Sequence, residues 1–222
     1  MELNEIRSRL ADLNTAHLAD ADKRLRVMSS AIRPVQSGLK LIGSAYTVNC
    51  HNDFLTVIKS IQDAQAGDVI VIETQGSRLA VAGELLSTEA MRKGIAGLVI
   101  DGAFRDTASV REMKFPVYAH SFTPMSGTSK RVFHTQETVE CGGVEVHPGE
   151  IIFGDEDGLL VLSLEEAVRL IPVAEEIKAR EEQVLARLQE GVSLCDLINF
   201  DEHWQKIEAG EKSELAFMID HG

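Results

Sequence analysis

The sequence predicts an α/β fold, and three observations carry that expectation. Two short runs, VIVIET at 69–74 and AGLVIDG at 96–102, are too apolar and β-branched to expose a face, so they read as strands buried on both sides. Segments of helical period alternate with such runs: FLTVIKSIQDA (54–64), GELLSTEAMRKG (83–94) and FRDTASVREM (104–113). Beyond Thr123-Pro124 the spacing shortens into β-rich pieces punctuated by Gly142-Gly143, His147-Pro148-Gly149 and Asp155-Glu156-Asp157-Gly158, which predicts a compact β layer with tight turns.

Leu3, Ile6, Leu10 and Leu13 recur at helical spacing, and Asn14 or Thr15 can cap a second, shorter helix. Pro34, Gly38 and Gly43 then punctuate an extended run in which Ala45, Thr47 and Val48 favour a strand. His51-Asn52-Asp53 interrupts it, with Asn52 or Asp53 placed to cap the helix that carries Phe54, Val57, Ile58 and Ile61 on one face. In the helix after Gly83, Leu85, Leu86, Ala90 and Met91 form the expected apolar face and Gly94 the stop. FPVYAHS at 115–121 is a further strand. From Ser163 to Leu188 a long charged helix begins with Ser163 and Glu166 as a capping box, and Pro172 is expected to kink or restart it. The tail from Val192 to Gly222 scatters Phe200, Trp204 and Phe217 on a charged background, as a segment packed on a neighbouring subunit would.

At 222 residues and 44% hydrophobic content the chain can bury a full core, and a single domain with terminal extensions is expected. No run approaches the roughly 20 apolar residues needed to span a bilayer, and no secretory signal is visible, so the expected setting is cytoplasmic, without membrane partners. A formal net charge of −13 argues against a nucleic-acid partner, because phosphate binding relies on clustered Lys and Arg. Cys50, Cys141 and Cys195 lack any disulfide or zinc spacing. The histidines lack an HxH or HxxxH pattern, and the DEDG turn lacks the later ligands of a calcium loop.

The chemistry concentrates between Gly83 and Asp106. Ligands of open α/β folds gather at the carboxyl ends of strands, where helix N-termini present unpaired N–H groups. Gly83 permits close backbone approach, so the amides of Leu85 and Leu86 can hold a carboxylate. Arg105 is a planar cation suited to the same ligand, and Asp106 is a hard oxygen ligand for Mg²⁺ or Mn²⁺. Glu84 can position or deprotonate a water. An Arg-Asp pair at a helix start is more often only a cap with a surface ion pair, and the residues alone favour that reading over the active site.

The runs GSAYTV, GDVIVIE, AGELLSTEAMRKGIAGLVIDGAFRD, FPVYAHSFTP and VECGGVEVHPGEIIFGDEDGLLVL resemble the RraA-like family. That family includes regulators of ribonuclease activity and divalent-metal aldolases acting on 4-hydroxy-4-methyl-2-oxoglutarate and 4-carboxy-4-hydroxy-2-oxoadipate. The aldolase branch carries an acidic residue, twenty intervening residues and then Arg-Asp, a spacing that Glu84 and Arg105-Asp106 reproduce. The resemblance implies a three-layer β/β/α domain with N- and C-terminal helical extensions, its core at about 14–163 and its helix and tail at 164–222 at subunit interfaces. It implies a homo-oligomer, a trimer or dimer of trimers. It also implies a class II pyruvate aldolase with oxaloacetate decarboxylase side activity, acting on a small 2-oxo acid. Asp106 would hold Mg²⁺ or Mn²⁺, Arg105 the oxo acid and its enolate, the amides after Gly83 the carboxylate, and Glu84 the proton-carrying water. The family's usual Asp is replaced here by Glu84. The alternative function is a non-catalytic protein-interaction regulator of a ribonuclease, whose members typically lack an Asp after the Arg. Methyltransfer finds no supporting glycine-rich nucleotide loop.

Overall fold

A computed structural model describes residues 3–218 and contains seven helices and ten strands. The helices are α1 (Leu3–Ala11), α2 (Thr15–Ala21), α3 (Leu55–Asp63), α4 (Glu84–Arg92), α5 (Thr107–Arg111), α6 (Leu164–Gln189) and α7 (Phe200–Glu208). The strands are β1 (Arg26–Val27), β2 (Arg33–Pro34), β3 (Leu41–Asn49), β4 (Asp68–Glu73), β5 (Gly97–Phe104), β6 (Val117–Phe122), β7 (Val139–Cys141), β8 (Val144–Val146), β9 (Ile151–Gly154) and β10 (Leu159–Leu162). Two compact units divide after Ala174, Met1–Ala174 and Glu175–Gly222.

In the first unit, the β-branched runs of β4 and β5 pair in parallel, Ile70 opposite Leu98 and Ile72 opposite Ile100, with β3 and β6 parallel on either side. The order β3-β4-β5-β6 follows the chain, so each crossover helix is laid on the same face. Val57 and Ile61 of α3, Ala90 of α4 and Val110 of α5 pack there against Val48, Ile70, Ile72, Leu98 and Ile100. Residues of the opposite parity, Ala45, Val69, Val71 and Val99, point to the other face and are covered by Val139, Cys141 and Val146 of the β7–β8 hairpin. The result is the expected three layers: helices, an eight-stranded sheet, and a small second sheet.

The β-rich second half is divided differently from the expectation of one separate layer. Only β7 and β8 form the second sheet; β9 and β10 extend the main sheet, β9 antiparallel to β3, with Leu41 opposite Gly154 and Ser44 opposite Ile151, and β10 antiparallel to β9. Both strands are buried on two faces, because α1, α2 and the first turns of α6 cover Ile151, Phe153, Leu160 and Leu162. Thr15, at the start of α2, is tied to this edge: its N–H and Oγ1 both donate to the Asp155 carboxylate, each at 2.7 Å. Asp155 closes the DEDG turn, and Gly158 takes the positive φ that the turn requires.

The capping box at Ser163 and Glu166 is formed as expected. Pro172 neither breaks nor restarts α6, which runs on to Gln189. The carbonyl it deprives of an amide belongs to Val168, whose exposed position lets water take that bond. In the second unit, Leu197 and Ile198 are buried and Ile198 bridges to Phe217, whereas Phe200, Trp204 and Ile207 form an exposed apolar stripe along α7.

The HND interruption has a role that its local sequence does not announce. Phe54, not Asn52 or Asp53, is the N-cap of α3. Asp53 is fully buried, and its carboxylate accepts from the Leu55 N–H, Thr128 Oγ1 and the backbone N–H groups of Lys130 and Arg131. It thereby fixes the 128–131 loop to the start of α3. Burial alone would raise this carboxyl, but the four donors together hold it below the ordinary carboxylate value. Asp53→Ala is expected to lower unfolding free energy by roughly 2–3 kcal/mol, since it strands donors that had a charged acceptor. A reduced urea midpoint with unchanged slope is the check. Because the folded value is depressed, the stability from Asp53 is complete above the unfolded carboxylate value. It is lost as pH falls through the folded one, and the variant's stability deficit should shrink in that acid range.

Candidate active site

The loops at the carboxyl ends of β4 and β5 meet over one cavity of ≈ 200 Å³. Gly83, Leu85, Leu86, Arg105 and Asp106 line it together with Phe54, Ile58, Ala80, Val81, Ala82 and Ser126. Five of the six residues singled out in the sequence therefore face one space. Glu84 stands beside it, exposed, with its side chain directed to no protein partner among the described residues.

Backbone pairing sets this convergence. Val81 N–H donates to the Ala103 carbonyl and Arg105 N–H to the Ala82 carbonyl, each at 3.3 Å, so the segment entering α4 runs beside the end of β5. Asp106 occupies the N-cap of α5 in the left-handed region, φ 59 and ψ 34, a conformation that Asp tolerates better than most residues. Its carboxylate does not cap its own helix; it turns back to α4, where Oδ2 accepts the Glu84 N–H at 3.2 Å. The Arg105 Nε lies 3.3 Å from the same oxygen, and both side chains are 37% exposed. The cap-and-ion-pair reading of Arg105-Asp106 is thus half right: the ion pair exists, but the cap serves the neighbouring helix.

Gly83 is what allows this approach. Its φ of −172° is ordinary extended backbone, so space is the constraint. A Cβ there would stand 2.5 Å from Asp106 Oδ2 and 2.8 Å from Arg105 Cγ. Of the first-turn amides of α4, Glu84 is taken by Asp106 and Ser87 by the Gly83 carbonyl. The Leu85 and Leu86 amides, at the second and third positions, have no intrahelical acceptor by helix geometry, and both residues line the cavity at the helix end that carries a partial positive charge.

The helix face differs from the expected one. Ser87 and Ala90 are buried, Leu86 is half-buried, Met91 is exposed, and Leu85 is 77% exposed. Small residues sit where α4 packs closely, and the larger ones border the cavity or solvent.

Asp106 fits a hard divalent ion held by few protein ligands. Its Oδ1 accepts no hydrogen bond among the described residues, and no group of three His, Cys, Asp or Glu side chains gathers there or elsewhere in them. A single carboxylate with water and substrate completing the shell suits Mg²⁺ or Mn²⁺ and not an ion that needs an all-protein cage.

His51, Asn52 and Asp53 do not line the cavity. His51 Nδ1 bonds the Thr74 carbonyl and its Nε2 meets Asn52 Nδ2, while Asn52 Oδ1 accepts from Ser77 Oγ. Asp101 is likewise used in structure, between His120 Nδ1 and the Gly142 N–H of the β7–β8 turn. The lining residues that sequence reasoning missed are Phe54, Ile58, Ala80, Val81, Ala82 and Ser126. Ala80 N–H donates to the Met125 carbonyl at 2.8 Å and Gly127 N–H to the Ala80 carbonyl at 2.9 Å, so two distant loops form one wall. No local pattern marks that pairing.

Comparison with known proteins follows the same lines. The sequence model of the RraA-like family, described as Aldolase/RraA, matches residues 15–161. An uncharacterized protein of Methanocaldococcus jannaschii is 36% identical over 197 residues, covering 86% of this chain and 93% of the relative. A Thermus thermophilus protein named 4-hydroxy-4-methyl-2-oxoglutarate aldolase is 30% identical over 152 residues, 68% of this chain and 93% of its own. The solved structure of the RNA-processing inhibitor RraA from Thermus thermophilus superposes with a TM-score of 0.64 at 30% identity, covering 68% of this chain and 93% of that one. Relatives thus carry both a lyase name and an inhibitor name. No helix among the described residues is long and apolar enough to cross a membrane.

Proposed function

Because the chain belongs to the RraA-like family, whose named members include lyases and inhibitors, we propose that it is a divalent-metal-dependent lyase of the pyruvate aldolase type. Its substrate is a 4-hydroxy-2-oxo acid, cleaved to pyruvate and a second oxo compound, with oxaloacetate decarboxylation as a side activity. The observation that carries the proposal is that Arg105, Asp106 and the first-turn residues Leu85 and Leu86 of α4 line one small cavity.

In this reading the substrate carboxylate docks on the Leu85 and Leu86 amides, where the helix N-terminus favours an anion. The Arg105 guanidinium lies beside the C2 oxygen and stabilises the negative charge that develops there. Asp106 is the protein ligand for Mg²⁺ or Mn²⁺, which when bound supplies Lewis-acid polarisation of the C2 oxo group. As the C3–C4 bond breaks, the C4 hydroxyl passes its proton to the water beside Glu84 and becomes a carbonyl, while the C3–C4 bonding pair forms the C2–C3 double bond of the enolate and the C2 carbonyl pair moves onto its oxygen. Glu84, at the exposed mouth, orients the water that returns a proton to C3. Oxaloacetate loses CO₂ from C4 to reach the same enolate, which is why both reactions belong to one site.

The exposed stripe of Phe200, Trp204 and Ile207 supports a homo-oligomer, a trimer or dimer of trimers, in which these residues are covered. The catalytic proposal is tested by stripping the protein with a chelator, restoring Mg²⁺ or Mn²⁺, and measuring pyruvate release. Activity is expected to vanish on chelation and return with metal; no pyruvate from 4-hydroxy-2-oxo acids or oxaloacetate under any of these conditions refutes it.

A further inference from the structure

Resting on the lyase reading, we infer that Ser126 is a further substrate-binding residue, whose hydroxyl donates to the C4 oxygen of the 4-hydroxy-2-oxo acid. Among the residues lining the cavity it carries the one hydroxyl, and that hydroxyl has no hydrogen-bond partner among the described residues. Its backbone, by contrast, is fixed. Five backbone bonds hold the 123–128 loop: Thr123 N–H to the Phe104 carbonyl, Ala80 N–H to Met125, Gly127 N–H to Ala80, Thr128 N–H to Asn52 and Phe54 N–H to Thr128. Gly127 lets the loop pack close, since a Cβ there would stand 2.8 Å from the Asn52 carbonyl oxygen. A half-buried, unpartnered hydroxyl on so constrained a backbone is preorganised for a ligand.

Two contacts place Ser126 relative to Arg105. Ala80 bridges to Ser126, and the Ala82 carbonyl accepts the Arg105 N–H. Two residues of backbone span at most about 7 Å, so the cation and the hydroxyl can reach one small acid from either end of the same segment. Charge then sorts the reacting groups. The C1 carboxylate and the C2 oxygen, which carries the enolate charge, are matched by the α4 amides and Arg105. The C4 oxygen starts as a neutral hydroxyl and ends as a neutral carbonyl, with partial negative charge in between as its proton leaves. A neutral donor supports that passing charge and holds the carbonyl product less strongly than a charged donor would. Ser126 makes no covalent bond, and its own proton stays on Oγ. In the reverse direction the same hydroxyl polarises the carbonyl that the enolate attacks.

Two reactions of the same enolate lack this demand and serve as references. In oxaloacetate the C4 oxygens lose charge as CO₂ departs, so a donor to them gives no acceleration, and pyruvate has no C4 at all. The test uses the Mg²⁺-loaded full chain and Ser126→Ala. It compares kcat/KM for pyruvate release from a panel of 4-hydroxy-2-oxo acids that includes 4-hydroxy-4-methyl-2-oxoglutarate, kcat/KM for pyruvate release from oxaloacetate, and the rate of C3 proton exchange of pyruvate in D₂O followed by NMR. Cleavage of the 4-hydroxy acids is expected to fall by about tenfold or more relative to both references. A ratio that does not move, whether because all three rates fall together or because none does, overturns the inference while the lyase reading stands. No pyruvate from any 4-hydroxy-2-oxo acid removes the inference together with that reading.

Discussion

Asp106→Asn is expected to lower kcat/KM for pyruvate release by about 10³-fold or more while leaving the fold intact, because it removes the charge proposed to hold the metal and, with it, only the half-exposed ion pair to Arg105. Asn is the informative replacement. It tolerates the left-handed backbone at φ 59 as Asp does, and its side-chain oxygen can still accept the Glu84 N–H. Asp106→Ala removes the charge and the acceptor together, so it should be at least as inactive and somewhat less stable. Metal titration followed by calorimetry on both variants checks the assignment: weakened metal binding must accompany the lost rate. An Asp106→Asn protein with full activity would falsify the ligand role. A protein without measurable lyase activity in any form, which nonetheless captures a purified ribonuclease, would return the choice to the inhibitor-like reading.

Gly83→Ala should cost about 10²-fold in kcat/KM with little change in melting temperature, the magnitude that roughly 1 Å of misplacement in a reacting constellation produces. The new methyl would stand 2.5 Å from Asp106 Oδ2 and 2.8 Å from Arg105 Cγ. Those neighbours are side chains, each 37% exposed, so the fold can yield by letting them swing outward. Activity cannot, because the same movement breaks the Asp106 bond to Glu84 N–H and pulls Arg105 off the cavity. Steady-state kinetics and a thermal melt on the same preparation separate the two effects. Equal losses in rate and stability would instead place Gly83 among residues needed for folding alone.

What was legible in the sequence is what local pattern determines. The parallel strands announced themselves because VIVIE and GLVID cannot expose either face, and β4 and β5 are buried along nearly their whole lengths. Arg105-Asp106 was legible because a polar pair directly after a buried strand must lie at its carboxyl end. The misreadings came from partners far away in sequence. Leu85 and Met91 have helical spacing, yet α4 turns Ser87 and Ala90 inward, since close packing against the sheet favours small side chains. Local pattern offers Asn52 or Asp53 as a helix cap; the Asp53 carboxylate does accept the Leu55 N–H at the start of α3, but its other three donors lie more than seventy residues on. Phe54, Ile58, Ala80 and Ser126 look like ordinary loop and helix residues until Ala80 pairs with Met125 and Gly127. The runs IIFG and LLVL of β9 and β10 cannot expose a face, unlike the alternating VEC and VEV of the hairpin before them, and only the pairing of β9 with β3 and of β10 with β9 places them in the main sheet.

That pairing has a consequence for how the chain is made. Leu41 waits for Gly154, so during synthesis the longest strand of the sheet keeps an open edge until most of the first unit has left the ribosome. A nascent chain stalled before Ile151 carries a bare, apolar row of N–H and C=O groups that a second such chain can match. Fragments ending near residue 145 are therefore expected to associate and precipitate, and those extending past Leu162 to remain dispersed.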